Sequence, residues 1–321
     1  MREWLEVRIA ISPIEHFFNR VRFIALSIRS LGGRYANTVT RVAVGSDEEP
    51  YDLHKRLPWS RDLGIDWYWV DRDEFSSWKD SGNPYTATIV HRFRPPFTAH
   101  NVLALDHDVI ALRPFDDLME MIETRPSVAG VMAHVTPFPT PDPKDHVRWW
   151  NDLYRAMNLA PPEFAHPLSG YGIMEKRPER RMSPVYFNSG VVLAPASLFE
   201  KLWPSYWEAT SALGTMMESY SFDQISFTLA LVKERIPYSL LPLRFNFPND
   251  PLFDEVYAQE LDDARFLHFL RTSPVDRTSS FENISTISDL ARRRDLAGSN
   301  ELLRRRIEEL LPLAAAQDRP A

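Results

Sequence analysis

The sequence has 321 residues, 44% hydrophobic and 12% aromatic, enough to bury a sizeable core as one large domain or two small ones. Its formal net charge of −7 argues against nucleic acid as a partner, because a sequence-independent grip on phosphates needs a positive field. Cysteine is absent, so disulfides, thiolate zinc sites and a cysteine nucleophile are excluded, and carboxylates and imidazoles are left as metal ligands.

Charges at Arg2, Glu3, Glu6 and Arg8 interrupt the amino-terminal segment, and no apolar run has the length of a bilayer span; a soluble, cytoplasmic protein is expected. The first element is a strand at Leu5 to Ile11. A helix is predicted next, with Ser12 as N-cap, Pro13 in the first helical position and Glu15 completing a capping box. Its apolar residues Phe17, Val21, Ile24, Ala25 and Ile28 follow a 3.6-residue period and end at Gly32-Gly33.

Strands at Val39 to Val44 and Ile65 to Val70, a helical stretch around Thr86 to Phe93 and a strand at Asn101 to Leu105 continue the alternation. Apolar runs at Val128 to Ala133, Tyr186 to Leu193, Tyr238 to Leu241 and Arg265 to Phe269 extend it. This pattern predicts an α/β fold with a mainly parallel sheet covered by helices on both faces. The proline-rich segment His134 to His146 is expected to be a loop, since proline lacks the amide donor. Trp149, Trp150 and Tyr154 read either as core or as a stacking wall for a ligand.

After about Thr286 the composition shifts to arginine-rich helix formers. Arg292 to Arg294 and Arg304 to Arg306 frame an apolar face of Leu302, Leu303, Ile307, Leu310 and Leu311. One reading is a terminal helix docked on the domain; the other is a basic amphipathic surface that makes peripheral contact with anionic lipid. The expected organisation is a domain over 1–285 and a helical tail over 286–321.

The chemistry centres on Val102-Leu103-Ala104-Leu105-Asp106-His107-Asp108. If the strand stays extended, Asp106 and Asp108 point the same way, at the carboxyl end where open α/β sheets bind ligands. Two such carboxylates repel each other, and a divalent cation is the simplest relief. Taken alone, either aspartate could instead close a turn.

The stretch Thr88 to Leu118, with Arg92, Pro96, the Asp106-His107-Asp108 triplet and Arg113-Pro114-Phe115, resembles the donor-binding half of GT-A (Rossmann-like) glycosyltransferases. It is most similar to the glycogenin-like family 8. Three later segments resemble that family in the same order. They are Tyr186-Phe187-Asn188-Ser189-Gly190, Phe222-Asp223-Gln224-Ile225, and the strand carrying His268.

The resemblance implies metal ligation by Asp106, Asp108 and His268, with Mn²⁺ favoured over Mg²⁺ by the mixed oxygen and nitrogen set. It implies donor contacts from Arg92, Asp106, Asp108, Asn188, Ser189 and Gly190, and sugar positioning by Asp223 and Gln224. A nucleotide-diphosphate sugar, by default a uridine one, would be the co-substrate, an unidentified glycan, lipid or protein the acceptor, and retention the outcome.

Two departures stand out. The family follows its histidine with Gly and Lys-Pro-Trp, the lysine meeting the diphosphate, whereas here Arg271, Thr272, Ser273, Pro274 and Arg277 follow. The opening turn Ile11 to Phe18 also lacks the family's base-reading aspartate and tyrosine. Two alternatives stay open: a haloacid-dehalogenase-like phosphohydrolase using Asp106 and Asp108, and a catalytically silent nucleotide- or carbohydrate-binding protein of the same fold.

Overall fold

The computed structural model describes residues 3–80, 84–138, 142–170, 181–214 and 221–318. Twelve strands are present among them: β1 Glu3–Ile11, β2 Val39–Val44, β3 Ile65–Trp69, β4 Ala99–Leu105, β5 Val109–Ala111, β6 Val128–Met132, β7 His166–Pro167, β8 Met182–Ser183, β9 Phe187–Pro195, β10 Tyr238–Leu240, β11 Phe247–Pro248 and β12 Phe266–His268. Seven form the main sheet in the order β10-β6-β9-β4-β1-β2-β3. All neighbours run parallel except β9, which is antiparallel to both β4 and β6.

Side chains alternate across a strand, and the central strands, buried on both faces, use that alternation to serve two cores. Leu5, Val7, Ile9 and Ile11 of β1 and Leu103 and Leu105 of β4 face one core with the helix Glu15–Arg29. Ala10, Val102 and Ala104 face the other, filled by Phe93, Phe199, Tyr206 and Phe227 from helical segments. The expected mostly parallel sheet with helices on both faces is the architecture found.

The first helix starts later than its capping signal predicts. It runs from Glu15 to Arg29 with Ile14 as N-cap and no side-chain cap bond. Ser12 lies outside, its carbonyl accepting from Ile14 N at 2.8 Å. Ile14 stays extended (φ −112°, ψ 142°), so Pro13 is not in the first turn.

The proline-rich segment is also not loop throughout. Asp142 caps a helix Pro143–Ala156 by accepting from Lys144 N, and Pro143 takes the first turn, where its missing N–H costs no bond. Pro139 and Pro141 lie outside the described residues. Trp150 and Tyr154 are buried core; Trp149 is exposed and stacks on Phe138 at 5.8 Å.

At the carboxyl end, helices Ile284–Arg292 and Gly298–Gln317 bury Ile287, Leu290, Leu303, Ile307, Leu310 and Ala314 in the same core as β1 and the helix Glu15–Arg29. Arg306 reaches back to Ala111 O at 2.9 Å and Ser27 O at 2.7 Å. Arg304 and Arg305 pair with Glu301, and Arg294 pairs with Glu308. Leu303, Ile307 and Leu310 thus face protein, and these arginines meet carboxylates. No helix among the described residues is long and apolar enough to cross a membrane.

Candidate active site

Strand β4 ends at Leu105, and His107 and Asp108 form a turn before β5 joins a second, three-stranded sheet of order β11-β12-β5. The Asp106-x-Asp108 segment is therefore not extended, and it is the switch between sheets that brings its carboxylates together. Asp106 N donates to Gly190 O of β9 at 3.0 Å, and Phe269 N donates to Asp108 O at 2.9 Å. One aspartate is tied to each sheet.

His268, at the end of β12, lies between them. Its Nε2 is 3.1 Å from Asp108 Oδ1 and 3.6 Å from Asp106 Oδ2. Ligand atoms of the three residues all lie within 4.8 Å of one another. The other ring nitrogen, Nδ1, is 3.1 Å from Asn246 Oδ1, while Asn246 Nδ2 and Gly190 N donate to Asn188 Oδ1. Asn246 thus accepts from Nδ1–H, which aims Nε2 at the carboxylates as a ligating imidazole requires. The donor set fits a divalent cation.

Electrostatics point the same way. Burial pushes Asp108 up, but His268, His107 and Arg277 outweigh it and hold the carboxylate well below its usual range. Burial pushes His268 down, yet Asp108 and Asp106 outweigh it and raise its pKa. Asp108 and Asp106 set a negative field at His268, while His268, His107 and Arg277 set a positive one at Asp108.

Gly190 leaves the room that the imidazole takes. A Cβ there would lie 2.4 Å from His268 Cε1 and 2.5 Å from His268 Nδ1. Arg92, fully buried, lies behind the triad. It pairs with Asp106 and donates to Ser189 O at 2.9 Å, Ser189 Oγ at 3.3 Å and Asp223 Oδ2 at 3.2 Å. Asp223 is buried and also accepts from Ser189 Oγ at 2.9 Å. Its carboxyl is raised, chiefly by burial, with Arg92 opposing and Asp106 adding.

These residues surround a cavity of about 370 Å³. Asp106, Asp108, Asn188, Gln224 and His268 line it, whereas Arg92, Ser189 and Asp223 form the layer beneath. Sequence reasoning passed over three contributors. Asn246 lies in Leu243-Arg244-Phe245-Asn246-Phe247, where Arg244 is polar too and nothing local marks it out. His134, just past the end of β6, and Tyr186, just before β9, line the cavity, and only the folded sheet puts them there.

No family model matches the sequence, and no curated protein matches it. Among solved structures, the chain is similar to the galactosyltransferase LgtC in complex with donor and acceptor sugar analogs. The TM-score is 0.51 at 13% identity, over 96% of this chain and 95% of that one. An active-site mutant of LgtC gives 0.52 at 12% identity, over 98% and 97%. The chain has the GT-A fold.

The bifunctional glycosyltransferase WbbM shares it as well, with a TM-score of 0.50 at 13% identity over 95% of this chain and 52% of that one. In the GT-A frame the Asp106, Asp108 and His268 cluster lies at the carboxyl edge of β4, beside the start of β9. That is the position where open α/β sheets bind ligands.

Proposed function

We propose that this GT-A chain transfers a sugar from a nucleoside-diphosphate donor, a uridine one by default, to an acceptor hydroxyl, using a divalent cation. The observation that carries the reading is the convergence of Asp106, Asp108 and His268 within 4.8 Å at the cavity wall. The cation would offset charge building on the departing diphosphate. Mn²⁺ suits the two carboxylates and one imidazole.

The chain's own residues supply position. Asp106, Asp108 and His268 hold the cation; Asn188 and Gln224 at the cavity wall orient the donor sugar; Arg92, Ser189 and Asp223 brace them from below. Asp223 acts on the sugar through this network, since its carboxylate is engaged by Arg92 and Ser189. With no protein nucleophile assigned, front-face attack and retention of the anomeric configuration are proposed. Asp106 is bound by Arg92, which suits a braced ligand better than the nucleophile of a phosphohydrolase.

The experiment is thermal unfolding with nucleoside diphosphates and nucleotide sugars, with and without Mn²⁺, on wild type and Asp108→Asn. A ligand at a hundredfold its dissociation constant stabilises by about 2.7 kcal/mol. A metal-dependent shift for one nucleotide, lost in Asp108→Asn, is expected, followed by transfer to an acceptor panel and product analysis by NMR. An inverted product refutes retention; no shift with any nucleotide refutes donor binding.

A further inference from the structure

Resting on the reading above, we propose that Arg277 is a positioning residue that alternates between two anionic partners, Asp108 and the donor's diphosphate, and so makes cation binding depend on the nucleotide. Both oxygens of Asp108 are engaged: Oδ1 faces His268 Nε2 at 3.1 Å, and Oδ2 is paired with Arg277 Nη1. Asp108 is buried, whereas the Arg277 side chain is 28% exposed and lines the cavity. The guanidinium therefore has room to move and the carboxylate does not.

The backbone that carries Arg277 is held in place. Its carbonyl accepts from Arg20 Nη2 at 2.7 Å, and Arg20 is buried against His107 at 3.0 Å. Asp276 Oδ1 accepts from Thr278 N at 2.8 Å and Ser279 N at 2.9 Å. Val275 is fully buried, and Arg293 Nη1 donates to Pro274 O at 2.7 Å. With main chain anchored on both sides, the mobile part is the side chain.

A divalent ion and a guanidinium are both cations, and at one carboxylate they compete. Without nucleotide, Arg277 weakens cation binding by holding Asp108 Oδ2. A diphosphate bound at the same corner lies within reach of Arg277, because the guanidinium already touches a ligand of that cation. Phosphate oxygens give it a charge-assisted, bidentate partner. Arg277 then leaves Asp108 to the cation, and the two ligands bind cooperatively.

The test reads opposite signs. Mn²⁺ binding to wild type, Arg277→Gln and Arg277→Lys is measured by the EPR signal of free Mn²⁺, without and with nucleoside diphosphates; diphosphate affinity is measured by calorimetry at saturating Mn²⁺. Coupling between sites usually amounts to about 5–150-fold. For Arg277→Gln we expect Mn²⁺ alone to bind about tenfold tighter and the diphosphate about tenfold weaker, a pattern that general damage to the site does not produce.

Arg277→Lys, which keeps the charge but loses the fork, should shift both affinities in the same directions by less, and it serves if the glutamine variant does not fold. Mn²⁺ alone binding no tighter in either variant, or an undiminished diphosphate affinity, overturns the role of Arg277. A wild-type protein that binds neither Mn²⁺ nor any nucleoside diphosphate overturns the transferase reading itself.

Discussion

Arg92 and Asp223, 131 residues apart in the chain, meet at 3.2 Å beneath the cavity floor. The same guanidinium pairs with Asp106, so one buried cation links a proposed metal ligand to the start of the helix Phe222–Lys233. The two carboxylates are held near each other by a charge that neither could replace with water.

Removing that charge should therefore cost more than a typical core truncation. Breaking a buried ion pair by deleting one partner usually costs about 3–5 kcal/mol, and Arg92→Ala takes the guanidinium from Asp106, Asp223 and the Ser189 carbonyl, leaving Asp223 the Ser189 hydroxyl. Urea denaturation should show a loss of about that size. A loss below about 1 kcal/mol, the level of a surface pair, would mean that water enters and the network is not dry.

Asn246 is expected to control metal affinity without touching metal. It accepts from His268 Nδ1–H, and losing such an outer partner typically costs about 10–100-fold in affinity. Asn246→Ala should lower Mn²⁺ affinity by that factor, whereas Asn246→Asp, which keeps the acceptor but gives up the Nδ2–H donated to Asn188 Oδ1, should lose less. Equal losses in both variants would point to packing and away from the hydrogen bond.

Gly190→Ala places a methyl group 2.4 Å from His268 Cε1. Overpacking of this kind costs about 1–3 kcal/mol, and here the atom that must give is on the ring proposed to hold the cation. The thermal midpoint and Mn²⁺ affinity should fall together. A normal affinity in a destabilised protein would show that backbone movement, not ring displacement, absorbs the clash.

Acid should weaken the fold before the carboxylates titrate. Burial pushes His134 down to about 3 and His146 down to about 4, against an ordinary 6.5. As pH falls below 6.5 the unfolded chain takes up these protons and the folded chain does not, so stability drops and the loss levels off below about 3 to 4. Each tenfold difference in proton affinity corresponds to about 1.4 kcal/mol. Urea midpoints should decline from pH 7 to pH 5, less steeply in His134→Asn. An unchanged slope in that variant would show that His134 takes up a proton in the folded state.

Much of this was legible in the chain. The strand at Leu5 to Ile11, the apolar run of Val102 to Leu105 and the helical period from Phe17 to Ile28 follow from backbone geometry and burial, and both are local properties. The composition left carboxylates and imidazoles as metal ligands, and Asp106, Asp108 and His268 were readable as candidates. The helix start was misread because Ser12, Pro13 and Glu15 match a capping pattern, while the cap itself is decided by where Ile14 leaves the strand conformation.

What only the tertiary structure decided is which distant residues share a corner. The antiparallel β9 between β4 and β6, the switch of chain from β4 to β5 at Asp106 to Asp108, and the arrival of β12 160 residues after Asp108 together create the triad. The same arrangement turns Arg92 from a cavity contact into a brace and sets Arg277 on Asp108. Periodicity is a short-range property of the backbone. Convergence depends on strand order and crossovers, and these are set by the packing of the whole core.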